Sequence, residues 1–196
     1  MEYRFYQLKI ELLHIEPTIW RQFVVPAHIP LDRLHDVIQI VMGWRDCHLH
    51  EFTFKKQQYT EAPETKDYGL EEGNHRLADL VKRKGSKFHY LYDFGDSWQH
   101  ELTLENSRYK FPEDIFGHFA ILTCLDGKGA CPPEDVGGPP GYLNFCEAIS
   151  DPEHPEHENY LHWCGGSFNC THFNANDVND EFMKYLRWSR PRYLDW

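Results

Sequence analysis

Residues 90–105 read YLYDFGDSWQHELTLE, and their rhythm decides the fold class. Trp98, His100, Leu102 and Leu104 alternate with Gln99, Glu101, Thr103 and Glu105. Period two gives a strand with one apolar and one polar face. Asp93, Gly95 and Asp96 supply a tight turn before it, because glycine accepts positive φ and aspartate caps its own backbone. On such a turn both carboxylates are expected to be mobile and exposed. His100 stands out as an ionisable ring on the face that otherwise reads as buried.

Working outward, residues 87–92 form the strand entering this hairpin. Residues 3–14 and 18–25 read as a second hairpin, broken at Glu16-Pro17 and closed by Pro26. Leu31, Leu34, Val37, Ile38, Val41 and Met42 keep helical spacing between Pro30 and Gly43. His48, His50, Phe52 and Phe54 share one face of another strand. Residues 55–75 read as a long surface loop, and Leu77, Leu80 and Val81 as a short helix ending near Gly85. Phe119–Cys124 is a short apolar run. The segment CLDGKGACPPEDVGGPPGY, residues 124–142, is expected to be loop throughout, given its density of breakers. Long loops in compact domains are usually functional or disordered, and the cysteines and paired acids here favour order. A helix begins at residues 145–149, Tyr160, Leu161 and Trp163 look buried, and Val178, Phe182, Tyr185 and Leu186 mark a last amphipathic helix capped near Asn176 or Asp177. Strands that arrive as hairpins without regular helix alternation predict an α+β fold, a mostly antiparallel sheet packed against several helices, in one domain over residues 1–196.

Composition narrows the function. The chain has 196 residues, enough for one substantial core, and 15% are aromatic. Its formal charge is −11, which on average repels a phosphate backbone, so nucleic acid is not the expected partner. The basic clusters Lys82-Arg83-Lys84 and Arg187, Arg190, Arg192 read as solvated helix ends. No apolar leader or membrane-length run is present, so a cytoplasmic protein with reduced thiols is expected. None of the six cysteines makes a Cys-x-x-Cys pair; Cys164 and Cys170, which bracket Gly165-Gly166, could form a local disulfide or thiol pair but in a reducing compartment are expected to be inert. Oligomeric state is open, since a free sheet edge can support a dimer.

Three constellations carry chemistry. Asp93-Phe94-Gly95 is not a kinase signature, because no phosphate loop, strand lysine or catalytic loop accompanies it. His48, His50 and His100 lie on strands that can share a sheet, and three imidazoles plus water suit a catalytic zinc, with Cys124 and Cys131 as further ligands. The plainer reading makes each of them a hydrogen-bonded core residue. Asp93, Asp96, Glu134 and Asp135 would bind a hard cation or act as general acid and base. Their plainer reading is turn-capping. Cys131 as a nucleophile, with His100 or His50 as base, needs an electropositive setting that an acidic chain does not favour.

The segments WRQFVVPAHIPLDRLHDVIQIVMGW, HLHEF, YDFGDSWQHELTLE, CLDGKGACPPEDVGGPPGY and GGSFNCTHFNANDVN together resemble the plasmid pRiA4b ORF-3-like family, in the family's order over nearly the whole chain. The resemblance implies a bacterial or archaeal cytoplasmic α+β protein and no particular reaction. Some relatives are described as transposon passengers, which adds a mobile-element DNA protein to the readings. The shared positions map onto His48, His50, Asp93, Gly95, Asp96, Trp98, His100, Cys124, Cys131, Pro132, Pro133, Glu134, Asp135, Gly137, Gly138, Gly141 and Tyr142. The family pattern leads one to expect an acidic-proline pair where this chain has Asn169-Cys170-Thr171. The leading expectation is a binding module for a small molecule or protein partner, its polar pocket built from the 90–105 hairpin and the CPPEDVGG loop. The alternative is a zinc-type hydrolase.

Overall fold

The alternation in residues 87–109 builds the centre of the molecule. A computed structural model describes residues 4–63, 65, 69–112 and 122–187, the last three by backbone alone. Eight strands form one sheet: β1 (Phe5–Leu12), β2 (Ile19–Pro26), β3 (His50–Phe54), β4 (Gln57–Thr60), β5 (Leu70–Glu71), β6 (Lys87–Tyr92), β7 (Trp98–Tyr109) and β8 (Thr123–Lys128). Their order is β5-β4-β3-β6-β7-β1-β2-β8, and only β4 with β5 is parallel. Five helices complete the α+β fold: α1 (Leu31–Met42), α2 (Leu77–Leu80), α3 (Gly138–Ser150), α4 (His157–Trp163) and α5 (Ala175–Arg187). No helix of the described residues is long and apolar enough to cross a membrane.

Register explains why the core sits where it does. Phe52 pairs with Tyr90, Tyr90 with His100, and His100 with Leu12, so one row crosses β3, β6, β7 and β1. All four side chains are buried. Phe54 stacks on Phe88 at 4.5 Å and Phe52 meets Tyr90 at 4.9 Å. Each such ring removed from water contributes about 2–3 kcal/mol. The α1 stripe joins the same hydrophobic cluster, and the helix stops at Gly43 with φ 105°, a left-handed cap that glycine adopts without a Cβ clash.

Two buried polar contacts tie the far edge to this core. The Arg21 guanidinium donates to the carbonyls of Trp20, Val41, Lys128 and Gly129, all at 2.9 Å, and lies over the Phe173 ring. Its burial lowers its pKa, and the four carbonyls replace lost water. The Asn179 amide of α5 accepts from Cys124 N–H and donates to Cys124 C=O, at 2.8 and 3.0 Å. It serves the β8 edge as a neighbouring strand would.

Several expectations are corrected. Residues 55–75 are not plain loop: β4 and β5 lie there, with a 3-10 turn at Glu72–Asn74. Residues 124–142 are not all loop either, since β8 runs to Lys128 and α3 starts at Gly138. Pro139 and Pro140 fall in the first helical turn, where the missing N–H has no partner to lose. Trp163 is exposed, not buried. The α5 cap is Asn174, whose Oδ1 accepts Asn176 N–H, and Asn176 and Asp177 stand beside it in the first turn. The cysteine pairing is Cys146 with Cys170, not Cys164 with Cys170. The run at 119–121, the Arg190 and Arg192 cluster and the side chains of Tyr185, Leu186 and Arg187 lie outside the described residues.

Candidate functional site

The site begins where α1 ends. Gly43 packs against Cys131, and a Cβ on it would sit 3.2 Å from the Cys131 Cβ. The next residues form a strap whose backbone amides reach outward. Arg45 N–H donates to Glu134 Oε1 at 2.7 Å, and Cys47 N–H donates to the Tyr92 hydroxyl at 3.0 Å. That hydroxyl in turn donates to Glu134 Oε1 at 3.1 Å. Burial, with Glu134 close by, pushes the Tyr92 phenol well above its ordinary pKa, so it stays a donor.

The turn between β6 and β7 is fixed by its own aspartate. Asp93 takes φ 54°, is only 7% exposed, and its Oδ1 accepts the N–H of Gly95 at 2.8 Å and of Asp96 at 3.3 Å. The expectation of two mobile, exposed carboxylates is therefore corrected. Asp96 is spent on the proline-rich loop: its Oδ2 accepts Gly137 N–H at 3.0 Å. Gly138 has φ 68°, and a Cβ there would fall 2.6 Å from the Asp96 carbonyl oxygen. Only glycine lets the loop lie this close to the turn.

His48 faces the junction of the two segments. Its Nε2 lies 3.3 Å from Asp135 Oδ1, 3.7 Å from Asp93 Oδ2 and 3.8 Å from Glu134 Oε2. This nitrogen is shielded from solvent, yet neither it nor Glu134 Oε2 makes a hydrogen bond. Asp93 and Glu134 share a design. One oxygen of each is held by two donors, and the other is the one close to His48. Ligating carboxylates are oriented by outer partners in just this way. Asp135, three-quarters exposed, is the member open to water.

The other predicted ligands go elsewhere. His50 Nε2 pairs with the buried Glu72 at 2.9 Å, and its ring stacks on His35 at 3.5 Å. His35 bonds the Tyr90 hydroxyl at 2.8 Å and Asp46 Oδ1 at 2.9 Å, so both its nitrogens are used. His100 lies 3.3 Å from the Tyr90 carbonyl through Nδ1, and burial lowers its pKa to about 4. Cys124 is buried on β8, its thiol pushed up to about 11 by burial. Cys131 is raised further by burial, which outweighs the opposing pull of Arg21, so the thiol stays protonated and does not suit a nucleophile. Among the described residues no point gathers ligand atoms from three of His48, His50, His100, Cys124 and Cys131, while His48, Asp93 and Asp135 bring theirs within 4.8 Å of one another. The thiols do not join because Cys124 is buried on β8 and Cys131 packs against Gly43, and His50 does not because Glu72 holds it.

Tyr92, Arg45 and the His35–Asp46 pair escaped the sequence reading. His35 left a signal, an imidazole on the apolar stripe of α1. Tyr92 and the Arg45 amide left none, since a core tyrosine and a backbone N–H look alike in any sequence.

Comparison with known proteins agrees with the motifs. The family described as "Plasmid pRiA4b ORF-3-like protein" matches residues 4–177. The uncharacterised protein y4hQ of Sinorhizobium fredii (strain NBRC 101917 / NGR234) is 42% identical over 193 residues, covering 95% of this chain and 96% of that protein. A crystal structure of the protein of unknown function MM3350 from Methanosarcina mazei Go1 superposes with a TM-score of 0.77 at 34% identity, covering 91% of this chain and 99% of that one.

Proposed function

This chain belongs to the plasmid pRiA4b ORF-3-like family, and we propose that it is a binding module whose pocket, between the Asp93 turn and the Pro132–Gly138 loop, holds one divalent cation. The observation that carries this is the shielded His48 Nε2, without a hydrogen bond and ringed by carboxylate oxygens at 3.3, 3.7 and 3.8 Å. Two ligands bonded to one ion at about 2.1 Å lie about 3.0–3.4 Å apart, close to these spacings. Without a cation, Asp93 and Asp135, with ligand atoms within 4.8 Å, repel by on the order of 3 kcal/mol at an effective dielectric of about 20. One imidazole with two carboxylates is a borderline donor set that suits Zn²⁺ or Mn²⁺. His48, Asp93 and Asp135 are the ligands; Tyr92 and Arg45 N–H orient Glu134 beside them, and Asp96 holds the loop closed.

A metal-dependent hydrolase is the second reading, favoured by the exposure of Asp135, which leaves the pocket open to water. In that reading Glu134 takes a proton at Oε2, and the bound ion supplies Lewis acidity.

Elemental analysis after metal-replete expression tests both. We expect about one Zn²⁺ or Mn²⁺ per chain, lost in His48→Ala and Asp93→Asn and kept in His100→Phe. A wild-type chain that stays metal-free when titrated with either ion overturns the proposal, as does binding untouched by both site variants. Hydrolysis of an activated phosphoester that disappears in Glu134→Gln while the metal remains selects the second reading.

A further inference from the structure

The disulfide between Cys146 of α3 and Cys170 of the segment before α5 closes 24 residues and forms one wall of a small hollow of ≈ 100 Å³. The hollow opens beside the end of the β1–β2 hairpin. Ile15, Pro17, Ile19 and Leu143 give it a largely apolar lining, while Glu16 and Lys128 bring one charge of each sign. Both charged residues are exposed, and both cysteines are half-buried. Structural disulfides are commonly sealed in a core; this one forms part of the wall of an open hollow.

We propose that Cys146–Cys170 is a thiol–disulfide exchange site and that the hollow admits a low-molecular-weight amino-acid thiol, cysteine or a short cysteine-containing peptide. The sulfur of such a molecule meets the disulfide, its carboxylate meets Lys128, its ammonium group meets Glu16, and its carbon skeleton covers the apolar wall. The thiolate attacks one cysteine sulfur, the protein S–S bond breaks, and a mixed disulfide forms while the other cysteine leaves as a thiolate and takes up a proton. A second thiol attacks the mixed disulfide and releases the small molecule as its own disulfide. Two electrons pass to the protein, two small thiols are oxidised to one disulfide, and Cys146 and Cys170 end as thiols. The exchange needs no cation. Cys170 C=O also accepts Ala130 N–H at 3.0 Å, four residues before Glu134, so the exchange site and the root of the proline-rich loop share a segment.

The test uses the full chain purified without reductant, treated with glutathione or with the uncharged mercaptoethanol, then alkylated and peptide-mapped. We expect Cys146 and Cys170 to be protected before treatment and alkylated after it, with a trapped glutathione adduct on one of them. Lys128→Ala should slow exchange with glutathione about fivefold, the worth of one exposed ion pair, and leave mercaptoethanol unchanged. Alkylation of both cysteines in the untreated, air-oxidised chain overturns the proposal. So does a Lys128→Ala rate that is equal to wild type for both thiols.

Discussion

At the scale of single residues, His100 shows how an environment sets a charge. Its ring is fully buried, and Nδ1 faces a backbone carbonyl, so the neutral tautomer with a proton on Nδ1 fits the site. Burial puts its pKa at about 4, below the ordinary 6.5. The unfolded chain therefore binds this proton first as pH falls. The stability that the neutral ring contributes is whole above pH about 6.5 and is lost progressively toward pH about 4, by up to about 3 kcal/mol. Urea unfolding at pH 7 and pH 4.5 should show this fall, and His100→Phe should flatten it relative to wild type. The sequence announced an ionisable ring on a buried face. It could not announce the ring's surroundings, because whether another ligand atom stands within reach depends on the folded chain. His48 is the opposite case: one strand face was expected to carry both it and His50, yet His48 precedes β3 and meets acids from two distant segments.

At the scale of elements, the proline-rich loop is held on the Asp93 turn by one hydrogen bond and one permitted backbone geometry. Gly138→Ala brings a Cβ to 2.6 Å from the Asp96 carbonyl at φ 68°. The expected cost is more than about 1 kcal/mol, because alanine does not tolerate that backbone region. Circular dichroism should remain that of the wild type, while calorimetric titration should show weakened Zn²⁺ binding as Glu134 and Asp135 move off His48. A pocket from the hairpin and the CPPEDVGG loop requires loop and turn to meet, and Asp96 joins them, but residues 124–142 are not loop throughout. Five glycines and prolines in GGPPG looked fatal to a helix, but their position at its first turn is where prolines are tolerated. Composition counts breakers, whereas hydrogen bonding decides whether a breaker has anything to break.

At the scale of the whole molecule, an eight-stranded open sheet has two edges to protect. On β8 the Asn179 amide occupies both backbone groups of Cys124. Asn179→Ala should cost about 1 kcal/mol, since the Cys124 N–H and C=O both lose a part-buried partner, and should expose the strand to a second chain. Denaturant unfolding reads the first effect, and sedimentation velocity across a concentration series reads the second as new dimer. The alternation of residues 98–105, the helical stripe of 31–42 and the hairpin breaks determined the α+β class by themselves, because period and breakers act through local backbone geometry. The family followed from motif order alone. Only the folded chain decided which polar groups meet: Asp96 with Gly137, Glu134 with Tyr92, His48 with three carboxylates, Cys146 with Cys170. Those contacts join residues tens of positions apart, and nothing local to either partner encodes the distance between them.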